Sequence, residues 1–351
     1  MDFFTVPCGD VAAALTEWYK QNARDLPWRK EVTPYRVWVS EIMLQQTRVE
    51  AVKPYFERFI NALPDVYALA AAEDAFLHKL WEGLGYYSRV RNMKKCAGRL
   101  VSEFGGILPQ DPAVLRSLPG IGSYTAGAIA AIAYGVPAPA VDGNVLRVLA
   151  RLCDCNADIA QTAVKRDAEK CIAQLIPEHD VSAFTQSLFE LGATVCIPGG
   201  DCKCEKCPVA AYCLAKQHGT AAVLPFHSDK PPRKKEEKTV LLLRDNGRYM
   251  LHKRPDKGLL AGLWEFPNMA GRLNEAEAAE AARKLHFEPL QVRALPAAVH
   301  IFTHKEWHMT AYLMDGAFEK DDLVTADAAE IKSVYALPSA FAVYRAIALS
   351  E

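Results

Sequence analysis

No stretch of the chain is apolar for long enough to cross a bilayer as a helix, and its first residues show no basic leader ahead of an apolar core. Secretion and membrane insertion are therefore not expected, and the expected location is the cytoplasm. Surplus charge is missing too: 41 basic residues against 42 acidic ones leave a net −1. That balance excludes a polybasic coat but permits local clusters such as Arg89-Val90-Arg91-Asn92-Met93-Lys94-Lys95. Disulfides are not expected in a reducing compartment, so the 10 cysteines need another explanation. Cys8, Cys96, Cys153, Cys155 and Cys171 are scattered and read as small buried hydrophobes, whereas Cys196, Cys202, Cys204, Cys207 and Cys213 crowd into one segment. At 351 residues, half of them hydrophobic, the chain is long enough for two domains with proper cores.

The most informative stretch runs from Leu118 to Asn144. Leu118-Pro119-Gly120-Ile121-Gly122 reads as a tight helix-to-helix turn, with an Ala-rich helix starting near Ser123. Backbone N–H groups at Gly120 and Gly122 lie at a helix N-terminus, where the partial positive charge favours a phosphate. Asp142, in Val141-Asp142-Gly143-Asn144, heads a second helix over Val145 to Leu152. An Asp there is ordinarily an N-cap, and that role stays open beside a chemical one.

Upstream, Val11 to Ala23 reads as an amphipathic helix before the turn Arg24-Asp25-Leu26-Pro27-Trp28-Arg29. The next helix is expected to begin after Thr33-Pro34-Tyr35 and to run through Val49. Glu41 lies within it, among apolar residues on both faces of the first turns. Burial there would raise the pKa of its carboxyl group and make it a proton donor near neutrality. Periodicity equally allows a solvated polar stripe of Glu41, Gln45 and Arg48. In Trp81-Glu82-Gly83-Leu84-Gly85-Tyr86-Tyr87-Ser88-Arg89, aromatics beside glycines and arginines suit stacking on bases, though a tyrosine packed in a helix bundle looks the same locally. Cys204-x2-Cys207-x5-Cys213 with Cys196 fits either structural zinc or an iron–sulfur cluster. Residues 225–238 are Pro-rich and charged, a linker. Strand patterns follow at Thr239 to Arg244, Tyr249 to His252 and Trp307 to Met314, with a helix from Glu275 to Leu285.

Leu-Pro-Gly-Ile-Gly followed at this distance by Val-Asp-Gly-Asn resembles the helix-hairpin-helix and catalytic aspartate of base-excision DNA glycosylases. Ser40-Glu41-Ile42-Met43-Leu44-Gln45-Gln46-Thr47 is similar to their adenine-specific branch, the MutY family. The resemblance implies a mainly α helix-hairpin-helix glycosylase domain over residues 1–224, with a six-helix module at about 31–136 inserted in a cluster module of 1–30 and 137–224. It implies an α+β Nudix-like domain over 239–351. Ala281-Ala282-Arg283-Lys284-Leu285 lacks the paired glutamates of the Nudix hydrolase box, so pyrophosphate hydrolysis is not expected.

The implied activity is hydrolytic release of adenine mispaired with 8-oxoguanine or guanine in double-stranded DNA, by a monomer that is nucleoid-associated when on DNA. Glu41 would protonate adenine, Asp142 would oppose the developing sugar cation, and Tyr124 and Asn144 would orient them. Leu26, Trp28 and Arg29 would belong to the pocket that receives the extruded base, Arg24 and Gln186 would bind substrate or DNA, and Gly120 and Gly122 would take phosphate. Gln46 and Tyr86 would wedge into the duplex, and Phe302, Thr303 and His304 would probe the opposite base. A [4Fe–4S] cluster is implied on Cys196, Cys204, Cys207 and Cys213; the family pattern is Cys-x6-Cys-x2-Cys-x5-Cys, and here the first interval is x7 with Cys202 inside it. That departure leaves open whether Cys202 or Cys204 is the second ligand. Endonuclease III-like enzymes, which also cut the strand at oxidised pyrimidines, carry an imine-forming lysine where this chain has Tyr124, and a phenol cannot form an imine. A non-catalytic DNA-binding iron–sulfur protein would require neither Glu41 nor Asp142.

Overall fold

The computed structural model describes residues 4–6, 10–228 and 231–350; Cys8 lies outside them. The chain forms two compact units, residues 1–71 with 92–229, and residues 72–91 with 230–351.

The first unit is helical. Its Pro34–Leu44 helix begins where Thr33 accepts the Arg36 N–H at 3.2 Å and Pro34 presets the first turn. Trp38, Val39 and Met43 are fully buried, which fixes the helix in the core. The helix stops at Leu44 instead of continuing through Val49: Gln46 takes a left-handed φ of 57°, and a new helix starts at Val49. The expected hairpin is present, with Gly120 at φ +78° and the Ser123–Tyr134 helix starting behind Gly122. A Cβ at Gly120 would lie 2.7 Å from the Asn92 Cβ, so the turn excludes any side chain there. The Gly143–Leu152 and Val181–Thr194 helices share a core in which Val145, Val148 and Leu149 meet Phe184, Leu188 and Leu191. Among the scattered cysteines, Cys96, Cys155 and Cys171 are buried and Cys153 is partly so.

The second unit is built on a sheet of β1 (Lys234–Asp245), β2 (Arg248–Met250), β5 (Asn268–Ala270), β6 (Phe287–Ile301), β7 (Lys305–Phe318) and β8 (Thr325–Ala326). The order is β6-β7-β1-β2-β8, with β5 pairing β1; β3 (His252–Lys253) and β4 (Trp264–Glu265) pair separately. β1 runs parallel to β7 and is buried on both faces over residues 239–243. Val240 and Leu242 face a cluster with Trp307, Phe341 and Tyr344, while Leu241 and Leu243 face the Glu275–Lys284 helix through Ala278 and Ala282. Residues 234–238, expected in the linker, are strand: the register pairs Lys234 with Lys305 and Glu236 with Trp307. Among the described residues no helix is long and apolar enough to cross a membrane.

Candidate active site

A cavity of about 580 Å³ opens in the helical unit. Glu41, Tyr124, Asp142 and Asn144 line it together with Arg24, Leu26, Trp28, Arg29, Gln46, Gly122 and Gln186. Gly120 is not in the lining; it turns the chain beside Asn92. A Cβ at Gly122 would meet nothing within 4 Å, so that backbone stays accessible.

The solvated-stripe alternative for Glu41 does not hold, because the residue is only 5% exposed. Burial, opposed by the Tyr124 hydrogen bond and reinforced by the Asp142 charge, pushes its carboxyl pKa up to about 7. Tyr124 donates its phenolic hydrogen to Glu41 Oε2. The same burial, with the two nearby carboxylates, raises the phenol far above its ordinary range and keeps it a neutral donor.

Asp142 does cap its helix: Oδ1 accepts the Val145 N–H at 2.8 Å. Its Oδ2 accepts from Asn144 Nδ2 at 2.9 Å. Burial raises the Asp142 carboxyl while these hydrogen bonds oppose the shift. Arg147 Nη2 donates to Asn144 Oδ1 at 2.9 Å and to the Gly192 carbonyl at 2.8 Å, and its Nε donates to the Cys196 carbonyl at 2.9 Å. Gly192 permits this approach, since a Cβ there would fall 2.7 Å from the Asn144 Cβ.

Sequence reasoning missed Glu190, a fully buried carboxylate at the cavity wall. Arg24 Nε reaches Glu190 Oε1 at 2.5 Å and Arg29 Nη2 reaches Oε2 at 2.8 Å. Burial alone would raise this carboxyl, but the two arginines outweigh it and hold the pKa below the ordinary value. Gln186 Oε1 accepts from Arg29 Nε at 3.0 Å and from the Tyr19 hydroxyl at 2.8 Å. The available signal was the one used for Glu41, a carboxylate inside an apolar helix.

Cys196, Cys202, Cys204, Cys207 and Cys213 surround a second cavity of about 30 Å³. Arg151 Nη1 donates to Cys196 Sγ at 3.4 Å. Among the described residues no group of three or more Cys, His, Asp or Glu is placed to hold a metal ion. The Cys202 thiol donates to the Ile197 and Gly199 carbonyls at 3.6 and 3.5 Å, inside a turn where Gly199 has φ +78°. The arrangement and donor set are consistent with a [4Fe–4S] cluster.

In the second unit Phe302, Thr303 and His304 form the tip between β6 and β7. The Phe302 ring packs on His300 and Trp307, at 4.6 and 4.8 Å between centroids, which leaves Thr303 and His304 as the exposed groups. Tyr86, 48% exposed at a φ of 47°, brings its hydroxyl to 3.2 Å from Thr303 Oγ1.

Two family models match, HhH-GPD superfamily base excision DNA repair protein over residues 39–174 and NUDIX domain over residues 239–345. The helical unit is thus similar to the HhH-GPD superfamily, and the second unit to NUDIX domains. A thermostable thymine-DNA glycosylase of solved structure is 26% identical, with a TM-score of 0.53 over 59% of this chain and 95% of that one. Adenine DNA glycosylase of Buchnera aphidicola is 30% identical over 88% of each chain, and that of Homo sapiens 35% identical over 83% of this chain. The chain belongs to the adenine DNA glycosylase family. It spans 64% of the human protein's length.

Proposed function

We propose that the chain hydrolyses the N-glycosidic bond of adenine mispaired with 8-oxoguanine or guanine in double-stranded DNA. The observation that carries this is one cavity that brings together the buried Glu41 and the half-buried Asp142, their oxygens oriented by Tyr124 and Asn144. The target base must leave the stack to reach them, at a cost of a few kcal/mol that a mispair lessens. Glu41, protonated near neutrality and aligned by the Tyr124 hydroxyl, donates to the departing adenine. Asp142 opposes the positive charge that grows on the sugar, the two-carboxylate logic of retaining glycosidases. Arg24, Leu26, Trp28, Arg29 and Gln186 hold the extruded base, with Glu190 fixing both arginines.

Cys196, Cys204, Cys207 and Cys213 would hold a [4Fe–4S] cluster, which when bound ties helices together and does no chemistry on the base. A multinuclear cluster needs thiolates spread around several irons, and the ringed cavity suits it. Cys204 is taken as the second ligand because it keeps the x2 and x5 intervals to Cys207 and Cys213.

The test is one assay on duplexes carrying adenine opposite 8-oxoguanine, adenine opposite guanine, and thymine glycol, each with and without alkali. No lysine lines the cavity among the described residues, so adenine should be released and the strand cut only after alkali. Efficient nicking of the thymine glycol duplex without alkali would favour an endonuclease III-like lyase instead. At the hairpin tip, His304→Ala should reduce discrimination between 8-oxoguanine and guanine opposite adenine by about tenfold, the scale of one lost base-edge contact. An unchanged ratio of the two excision rates would put the specificity elsewhere.

A further inference from the structure

Three charged side chains meet where residues 72–91 pack against the Ala328–Ser333 and Ala342–Ser350 helices and the loop between them. Lys79 Nζ lies 2.8 Å and Arg345 Nη2 3.2 Å from Glu82 Oε2, while Glu82 Oε1 accepts the Leu337 N–H at 2.9 Å. Lys79 also donates to the Ile331 and Tyr335 carbonyls at 3.2 and 3.1 Å. Side-chain exposures of 16%, 12% and 25% for Lys79, Glu82 and Arg345 take this group out of the class of weak surface pairs.

The turn that follows is stiff. Trp81 Nε1 donates to the Gly85 carbonyl at 3.0 Å, and Arg89 Nη2 donates to the Leu84 and Gly85 carbonyls at 2.9 and 3.1 Å. The Arg89 guanidinium also sits 5.3 Å from the Trp81 ring centroid and 5.6 Å from that of Tyr86. Beyond the turn, Arg91 donates to the Ala261 carbonyl. This cross-braced turn links Glu82 to Tyr86, whose hydroxyl meets Thr303.

We propose that Glu82 is a positioning residue for recognition of the base opposite adenine. With Lys79 and Arg345 it fixes the Trp81–Arg89 turn so that Tyr86 and Thr303 present their hydroxyls as one unit. This rests on the reading of the hairpin tip as the 8-oxoguanine probe.

The experiment measures single-turnover excision of adenine opposite 8-oxoguanine and opposite guanine, for wild type, Glu82→Ala, Thr303→Val and the double variant. Glu82→Ala should lower the ratio of the two rates about fivefold, chiefly through the 8-oxoguanine duplex. The double variant should lose little more than the worse single one, because both changes break the same contact. Glu82→Asp, which keeps the charge, should recover part of the ratio. If Glu82→Ala fails to fold, Arg345→Met removes the opposite partner of the same group and should lower the ratio likewise. A uniform loss on both duplexes, an unchanged ratio, or additive losses with Thr303→Val would each overturn the proposal. A wild type with no preference for 8-oxoguanine would instead overturn the hairpin reading beneath it, and Glu82 with it.

Discussion

Glu41→Gln should lose base excision by on the order of a thousandfold while still binding mispaired duplex, since general acid catalysis is worth about two to four powers of ten. Gln has nearly the shape of Glu and still accepts from the Tyr124 hydroxyl, so only the transferable proton is removed. A second signature separates this from damage to the fold. The Glu41 carboxyl titrates in the folded protein at about 7, well above its ordinary 4.5. Its contribution to stability is therefore full below 4.5 and lost as pH rises through 7, where a buried charge must form. Glu41→Gln never forms that charge and should melt at a higher temperature than wild type at pH 8, with the advantage shrinking toward pH 5. In the wild type, excision by this route should decline as pH rises through about 7, because the acid form is the reactive one. Excision near the wild-type rate in Glu41→Gln would end the general-acid assignment.

Local chemistry was legible in the chain, and long-range contact was not. Gly120 and Gly122 announced the hairpin because a tight turn needs backbone that few residues allow, and Gly120 sits at φ +78°. The capping position of Asp142 was equally plain, since an Asp before a helix has one usual task, and its side chain performs it. Glu41 was ambiguous because periodicity gives a helix face without saying what covers it; the Ser123–Tyr134 helix does, through Tyr124. The break after Leu44 carries neither Gly nor Pro, so Gln46 gave no sign of its left-handed backbone. Residues 234–238 looked like linker because strand charge is usually a surface property, yet they pair with Lys305 to Met309. Glu190 escaped because its partners, Arg24 and Arg29, lie more than 150 residues away in sequence. The assignment of residues 72–91 to the second unit likewise follows from contacts such as Glu82 with Leu337, which no local pattern encodes.

Asp142→Asn separates the two tasks of one carboxylate. Asn is as good an N-cap as Asp, so the oxygen that accepts the Val145 N–H is retained and the helix should hold. The other end of the new amide is a donor, and it faces Asn144 Nδ2, also a donor, which Arg147 prevents from flipping by donating to Asn144 Oδ1. The cost of that mismatch is about 1–3 kcal/mol of stability, readable as a modest drop in melting temperature. Excision is expected to fall much further, by on the order of a hundredfold to a thousandfold, because the charge opposing the sugar cation is gone. Binding of an intact mispaired duplex should change little, since no charge has yet grown on the sugar. A variant that melts slightly lower and excises adenine as fast as wild type would leave Asp142 a cap and nothing more. One that melts near wild type and fails to excise would assign the cation-stabilising role to its charge.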